Sequence, residues 1–529
     1  MSSQFSMKSY MKGALLLTVA SLIVKVLSAV YRVPFQNLVG DQGFYVYQQV
    51  YPFISFFVVW TSGGFAVAIS KLLADAENDH IRRGITKTIF QYLTVLSLLF
   101  FSLLFFGADM LSSWMGDAGL APLLKTGAFV ALCMPALAIM KGTFQSRARM
   151  EPVAYAQVFE QAVRVAIILI GTILVMTSFS GTVYAAGNMA VLGTVIGELA
   201  GVILLYVYMK KSDFLFRKGA IIPKWQVIKE VTVFSISVSM SSLLLLAFQL
   251  VDSFTVFSML ADAGMPRLEA METKGIYDRG QPLVQLGIVI ASSFSLAIVP
   301  LVAHKSKKGA LGEYPYIQLT YRASMLFGVA ASLGLVLVMP YVNVLLFKTE
   351  ALSAVLILYV LQIVPLSIIL TFTAVLQGYG KLKVPTLFLL GALSLKLGGN
   401  ILLIPLIGIS GAALAGNIGL FICAGSLIYY LKKLKGMTLA KGAFYKKLLV
   451  ACVGMAVTVE GAAILLGGII QFDSGRMASV VYSAVLISIG AFTFITIVAK
   501  LRLLSVREWF IIPFGRRMAM YQLWLNKKK

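Results

Sequence analysis

Apolar runs of about 20 residues, the length of a membrane-crossing helix, recur along this chain, separated by short polar and basic turns. Fourteen can be drawn, near 13–33, 45–70, 88–111, 122–146, 153–178, 183–209, 230–260, 282–303, 319–347, 351–377, 384–404, 408–431, 448–470 and 477–500. Several are long enough to tilt or to project beyond the bilayer. The pattern predicts an all-α polytopic membrane protein with about 14 transmembrane helices.

Polar positions inside these runs carry the next information. In the first run Thr18, Ser21, Lys25, Ser28 and Arg32 follow one another at three- or four-residue intervals. That spacing draws one polar stripe down a helix otherwise suited to lipid. Lys25 falls near the middle, where a cation costs at least ~2.5–3.5 kcal/mol on insertion scales. A chain carries that cost when the stripe faces water or an anionic ligand inside a bundle. The plainer alternative is a lysine whose stem lets its ammonium snorkel to the interface, and Arg32, nearer the helix end, snorkels more readily.

Composition agrees with the pattern. The 529 residues are 59% hydrophobic and 12% charged, against roughly 25% charged in soluble domains. The net charge of +24 does not predict nucleic-acid binding, because the cations lie in short loops between spans. Lys71, Arg82, Arg83 and Lys87, then Lys141, Arg147 and Arg149, then Lys210 to Lys229 share one side. Lys305, Lys307, Lys308 and Arg322, then Lys381 and Lys383, then Lys432 to Lys447 join them. The other side holds Arg267, Lys274, Arg279, Lys348 and Arg476. The asymmetry predicts a cytoplasmic location for both termini. Cys133, Cys423 and Cys452 all fall in apolar runs, so no disulfide framework is expected. His80 and His304 lack metal-site spacing. The first run is too long for a signal-peptide core and lacks a clear cleavage site, so it is retained as a helix. After Lys500 the tail mixes Trp509, Phe510, Phe514, Tyr521 and Trp524 with Arg516, Arg517 and three closing lysines. It reads as an amphipathic segment on the anionic leaflet, with an ordinary frayed tail as the alternative.

The chain also resembles itself at a shift of about 230 residues. Gly64–Ile69 matches Ser293–Ile298, Met134-Pro135 matches Val364-Pro365, Phe144-Gln145 matches Leu376-Gln377, and Ala185–Asn188 matches Leu414–Asn417. Six spans separate each pair, so the halves keep the same orientation, as parallel repeats do. The expected domains are a first bundle at 1–210, a linker at 211–229, a second bundle at 230–431, an added helix pair at 432–500 and a basic tail at 501–529.

The repeat aligns charges. Arg164 and Lys396 each lie nineteen residues after the matched glutamines Gln145 and Gln377. Glu160 precedes Arg164 by four residues and is expected to neutralise it, whereas Lys396 has Asn400 at that distance on its other side. Span seven carries Ser235, Ser239, Ser242, Gln249 and Asp252. Asp252 has three candidate roles: pairing with Lys25 or Arg32, binding a coupling cation, or taking up a proton. Gly193, Gly197 and Gly201 form a small-residue ridge for close helix packing, and neither Glu198 nor Glu460 has an evident partner. No nucleophile–base set, metal cluster or phosphate loop stands out, so an enzyme is not expected. The largest outer loop, 261–281, suits a lid or gate. Facing stripes of cations and a carboxylate on two bundles read as an alternating-access transporter with a central cavity for an anion.

The segment Asn400 to Ala413 resembles the N-x-x-L-I-P-x-x-G-I-x-G-A-A stretch of polysaccharide-type flippases in the multidrug/oligosaccharidyl-lipid/polysaccharide (MOP) exporter superfamily. Lys12–Ala14, Lys25–Leu27, Arg32 and Tyr45–Lys71, with Ser62–Phe65 and Ile69–Lys71, resemble the opening of its stage V sporulation protein B and MurJ-like branch. The likeness runs the whole length, including two extra C-terminal spans that this branch uses as a lipid-tail groove. It implies flipping of a lipid-linked, pyrophosphate-bearing cell-wall precursor such as lipid II, or a related undecaprenyl glycolipid, to the outer leaflet of a bacterial plasma membrane. The cavity arginine of the family's first helix corresponds to Arg32, with an interval from Lys25 one residue longer than the pattern. The family's Asp-Arg before the eighth helix corresponds to Asp278-Arg279. The second-helix arginine of MurJ proper is replaced by apolar residues around Phe56–Val59, which favours the sporulation-type branch. Expected substrate-binding residues are therefore Lys25, Arg32, Arg164, Asp278, Arg279 and Lys396, with Asp252, Glu160 and Asn400 in coupling or charge pairing. No cofactor is expected, and coupling to Na⁺, H⁺ or the membrane potential is. Partners would be the undecaprenyl-pyrophosphate-linked saccharide, anionic lipids and cell-wall synthesis proteins, with the chain acting as a monomer. The competing readings are a cation-coupled drug or metabolite antiporter, a membrane glycosyl or acyl transferase, and a non-transporting scaffold. The first would favour twelve spans and acidic cavities, and the second needs acidic or His-containing catalytic loops that the chain lacks.

Overall fold

A hydrocarbon solvent leaves no partner for a free backbone N–H or C=O, so spans must close their hydrogen bonds internally. The computed structural model describes residues 7–178, 181–210, 220–289, 314–381, 383–436, 438–469, 475–512 and 515–527, and every regular element among them is helical. Twelve helical stretches there are long and apolar enough to cross a membrane. The first of these, Val19–Asp75, is 57 residues long and covers the first two runs expected from the sequence. The eighth expected run lies mostly in 290–313, outside the described residues, as do its repeat match Ser293–Ile298 and the loop cations Lys305, Lys307 and Lys308. The figure of fourteen is thus not confirmed. Strongly exposed apolar side chains, such as Phe106 at 76%, Leu406 at 76% and Ile464 at 75%, suit contact with lipid tails.

The chain forms two compact units, Met1–Asp278 and Arg279–Lys529. The first contains α1 (Met7–Val30), α2 (Arg32–Val59), α3 (Ala66–Asp75), α4 (Asp79–Phe106), α5 (Ala108–Trp114) and α6 (Ala121–Ser146). It continues with α7 (Glu151–Ile173), α8 (Val183–Lys210), α9 (Lys224–Asp262) and α10 (Arg267–Asp278). A turn at Tyr31 separates α1 from α2. Inside α2, Gly40 takes φ 69°, a left-handed value that glycine adopts without penalty and that breaks the helix there. A π-helical turn at Trp60–Phe65 joins α2 to α3. At this turn Gly64 lets the backbone of α9 come close at Ser235, and Trp60 Nε1 donates to Ser235 Oγ at 3.3 Å. Span seven is therefore packed with the first unit. It also starts earlier than the sequence pattern indicates, at Lys224 within the expected linker 211–229, because Pro223 fits just before a first helical turn.

The second unit contains α11 (Gly280–Gly287), α12 (Tyr314–Phe347), α13 (Ser353–Val360), α14 (Ile363–Gly378), α15 (Lys383–Ile407) and α16 (Ile409–Lys435). The added pair α17 (Gly442–Gly467) and α18 (Arg476–Lys500) is followed by α19 (Val506–Ile511) and α20 (Gly515–Asn526). The tail is folded back rather than frayed. Ser505 and Glu508 form a reciprocal cap on α19, and the buried Trp509 donates Nε1 to Gln522 Oε1 at 2.8 Å. Phe514 and the last two lysines lie outside the described residues.

Candidate functional site

In the first unit the break at Tyr31 makes Arg32 the opening residue of α2. Its side chain is fully buried, 0% exposed, and its guanidinium stands 4.5 Å from the centroid of the Tyr51 ring, within cation–π range. The hydroxyls of Tyr31 and Tyr47 meet at 2.7 Å, and Phe35 packs edge-on against Tyr47. Lys25, two turns earlier on α1, is exposed.

Helices α9 and α10 bring acids to this corner. Asp252 accepts a hydrogen bond from the Tyr277 hydroxyl at 3.0 Å, and Gln49 Nε2 donates to Ser253 O at 3.1 Å. Lys274 Nζ lies 2.6 Å from Asp278 Oδ1. Burial pushes the Asp278 carboxyl up to about 6, against the pull of the Lys274 ammonium; Asp252 pushes it further up and Arg32 pulls it down. Arg32, Asp252 and Asp278 are thus electrostatic neighbours. Helix α10 is well docked on the rest of the first unit. Gln42 Nε2 donates to Glu272 Oε1 at 2.9 Å, and Arg267 Nη2 donates to Gly116 O at 2.7 Å. Gly275 passes so close to the Asp41 carbonyl that any Cβ would collide with it.

A second group of charges lies among α6, α7 and α8. Here Glu160 does not take the expected role of intrahelical partner to Arg164. It pairs with Lys141 across helices, at 2.9 Å, with both side chains buried, and Lys141 also donates to Ser62 Oγ at 3.0 Å. Arg164 hydrogen-bonds Glu198 on α8 at 2.6 Å and Gln161 at 3.3 Å. The reason is steric as much as electrostatic. A Cβ at Gly197 or Gly201 would strike Glu160 or Arg164, so the glycine ridge brings the Glu198 carboxylate to α7. Lys141, read from the sequence as a loop cation, is inside α6 because that helix runs on to Ser146. Tyr51 is an electrostatic neighbour of both Arg32 and Arg164, which links the two groups.

In the second unit Lys396 is buried on α15 and donates to Ala412 O at 2.8 Å, beside Gln362 and Gly416. Asn400, one turn on, is also buried. At the repeat shift, Leu427 stands where the first half has Glu198, so the two cations at matched positions sit in different chemistry. Arg279 is buried, donates Nη1 to Asn343 Oδ1 at 2.9 Å and lies over the Phe347 ring. Asp278 and Arg279, adjacent in sequence, therefore belong to different units with different partners. From sequence Glu198 stood out by its place inside the glycine ridge but had no partner, Lys141 and Lys274 read only as loop cations, and Tyr51 and Tyr277 carried no separate signal.

Apolar helices of membrane-crossing length, with charges buried and paired among them, define a polytopic membrane protein. A model of the family described as polysaccharide biosynthesis protein matches residues 10–306, and the chain belongs to that family. It is 34% identical over 519 residues to the "uncharacterized membrane protein YabM" of Bacillus subtilis (strain 168), covering 96% of each chain. It is 24% identical over 518 residues to "lipid II flippase MurJ" of the same organism, covering 91% of this chain and 93% of the relative. The solved lipid II flippase MurJ in an inward closed conformation shares the fold at TM-score 0.69 and 14% identity, over 92% of this chain and 99% of that one. An inward-facing multidrug resistance MATE family transporter does so at TM-score 0.63 and 12% identity, over 80% and 98%. Together these place the chain in the MOP superfamily, in its MurJ-like branch.

Proposed function

We propose that the protein is a flippase that carries a lipid-linked, pyrophosphate-bearing cell-wall oligosaccharide precursor, lipid II or a related undecaprenyl glycolipid, from the inner to the outer leaflet of a bacterial plasma membrane. A charged sugar headgroup does not cross hydrocarbon unaided, and arginine or lysine in a cavity compensates its phosphates. The observation that carries this reading is Arg32, wholly buried at a helix break and stacked on Tyr51. Discontinuous helices are where transporters of related design build their sites. Lys141 with Glu160 and Arg164 with Glu198 are matched cation to anion across helix interfaces, and the polar stripe of Lys25 and Arg32 runs into the helix break beside them.

In this reading Lys25, Arg32, Arg164, Asp278, Arg279 and Lys396 bind the headgroup, and Lys274 holds the Asp278 carboxylate in place. Asp252, Glu160 and Asn400 couple or balance charge, with Na⁺, H⁺ or the membrane potential as the driving force and both termini in the cytoplasm. The test is complementation. Cells depleted of their other flippases and given this chain alone should expose wild-type amounts of lipid II on the outer leaflet; none exposed, with the protein present in the membrane, overturns the reading for that substrate.

A further inference from the structure

A cavity at the basic end of the second unit is used by none of the groups of the candidate site. It consists of two adjoining chambers of about 430 and 240 Å³, both walled by Arg322, Arg502 and Leu503. The larger falls within the ~300–1,000 Å³ range of small-ligand sites. Lys441 and Lys447 complete a four-cation wall, and Glu508 is the one carboxylate in it, already ion-paired with Arg322. The wall is built rather than incidental. Lys447 Nζ donates to Leu501 O at 2.8 Å, Gln318 Nε2 to Thr438 O at 2.7 Å, and Arg502 Nε to Asn526 Oδ1 at 3.2 Å. Arg502 itself holds φ 52°, a left-handed backbone that costs a long side chain free energy where glycine would be at ease. The fold accepts that cost and keeps a guanidinium at the cavity mouth.

The surroundings say what kind of anion fits. Leu523 lines the larger chamber while half exposed, and Phe510, Met520 and Trp524 of the same tail helices are exposed as well. Arg507, Arg516 and Arg517 also stand exposed there. Exposed tryptophan and phenylalanine among cations are the composition of a membrane interface. We propose that this cavity takes the phosphate headgroup of an anionic phospholipid from the adjacent leaflet, with its acyl chains against the apolar side of α19 and α20. Such a lipid fastens the tail to α12, α17 and α18.

The experiment uses the full-length protein in nanodiscs of phosphatidylcholine containing phosphatidylglycerol, with retained lipid read by native mass spectrometry. Wild type should retain phosphatidylglycerol in preference to phosphatidylcholine. The double variant Lys441→Glu/Arg502→Glu, at two exposed positions, should lose at least about tenfold in that retention. Lys87→Glu, an exposed cation of the first unit, should match wild type, and millimolar inorganic phosphate should not displace the lipid. Equal retention of the two lipids, equal loss in Lys87→Glu, no loss in the double variant, or displacement by inorganic phosphate would each overturn the proposal.

Discussion

The Arg164 guanidinium lies 2.6 Å from Glu198 Oε1, a carboxylate thirty-four positions away on the neighbouring helix. The nearer acid in sequence, Glu160, is taken by Lys141. Each pair crosses a helix interface, so together they tie α6, α7 and α8 into one piece.

Removing one partner of such a buried pair strands the other. Glu198→Gln should destabilise the protein by about 3–5 kcal/mol, and Arg164→Met/Glu198→Leu should recover most of the loss. The second half of the repeat already has leucine at the matching position, Leu427. Thermal unfolding of the single and double variants in detergent measures this; strictly additive losses would show that the pair is not coupled.

Asp278 lies outside the apolar spans, and its carboxyl is raised to about 6 by burial, with Asp252 adding to the rise and Lys274 and Arg32 opposing it. A raised carboxyl binds its proton more tightly in the native state than in the unfolded one. Its contribution to stability is therefore largest below the ordinary carboxylate range and declines as pH rises toward 6, then levels off. Asp278→Asn should remove that slope between about pH 4 and 6. Lys274→Met should move the Asp278 midpoint upward, which infrared titration of the carboxyl checks; a downward move contradicts the pairing.

The docking of α10 depends on Gly275. Gly275→Leu places a side chain against the Asp41 carbonyl and should lift α10 from α2, breaking the Gln42–Glu272 contact. Amide exchange across 267–278 should speed up severalfold while the protection of α7 and α8 holds. Unchanged protection of α10 would mean that the close approach is not what holds it.

Much of this fold was legible in the sequence because a membrane imposes its own period. Apolar runs marked most spans, Gly193, Gly197 and Gly201 marked a helix interface, and the stripe through Lys25 and Arg32 led to a residue the structure buries completely. Partner choice was not legible. An i,i+4 rule treats a helix as isolated, so it assigned Glu160 to Arg164, whereas glycine-permitted approach of α8 set the actual partner. Lys141 was hidden for a similar reason: it sits close to Arg147 and Arg149 in sequence, and only the length of α6 reveals that it is inside. The turn at Tyr31 divides what hydropathy shows as one apolar run, because hydropathy averages over backbone breaks, while the kink at Gly40 falls in the gap between the first two runs.

The central claim is that Arg32 and Lys25 serve an anionic lipid headgroup, and outer-leaflet lipid II in flippase-depleted cells measures it most directly. With Arg32→Ala or Lys25→Ala present in the membrane at wild-type level, the account predicts that surface-exposed lipid II falls by at least about tenfold, the loss of roughly one charge-assisted contact. Wild-type exposure in both variants would contradict it.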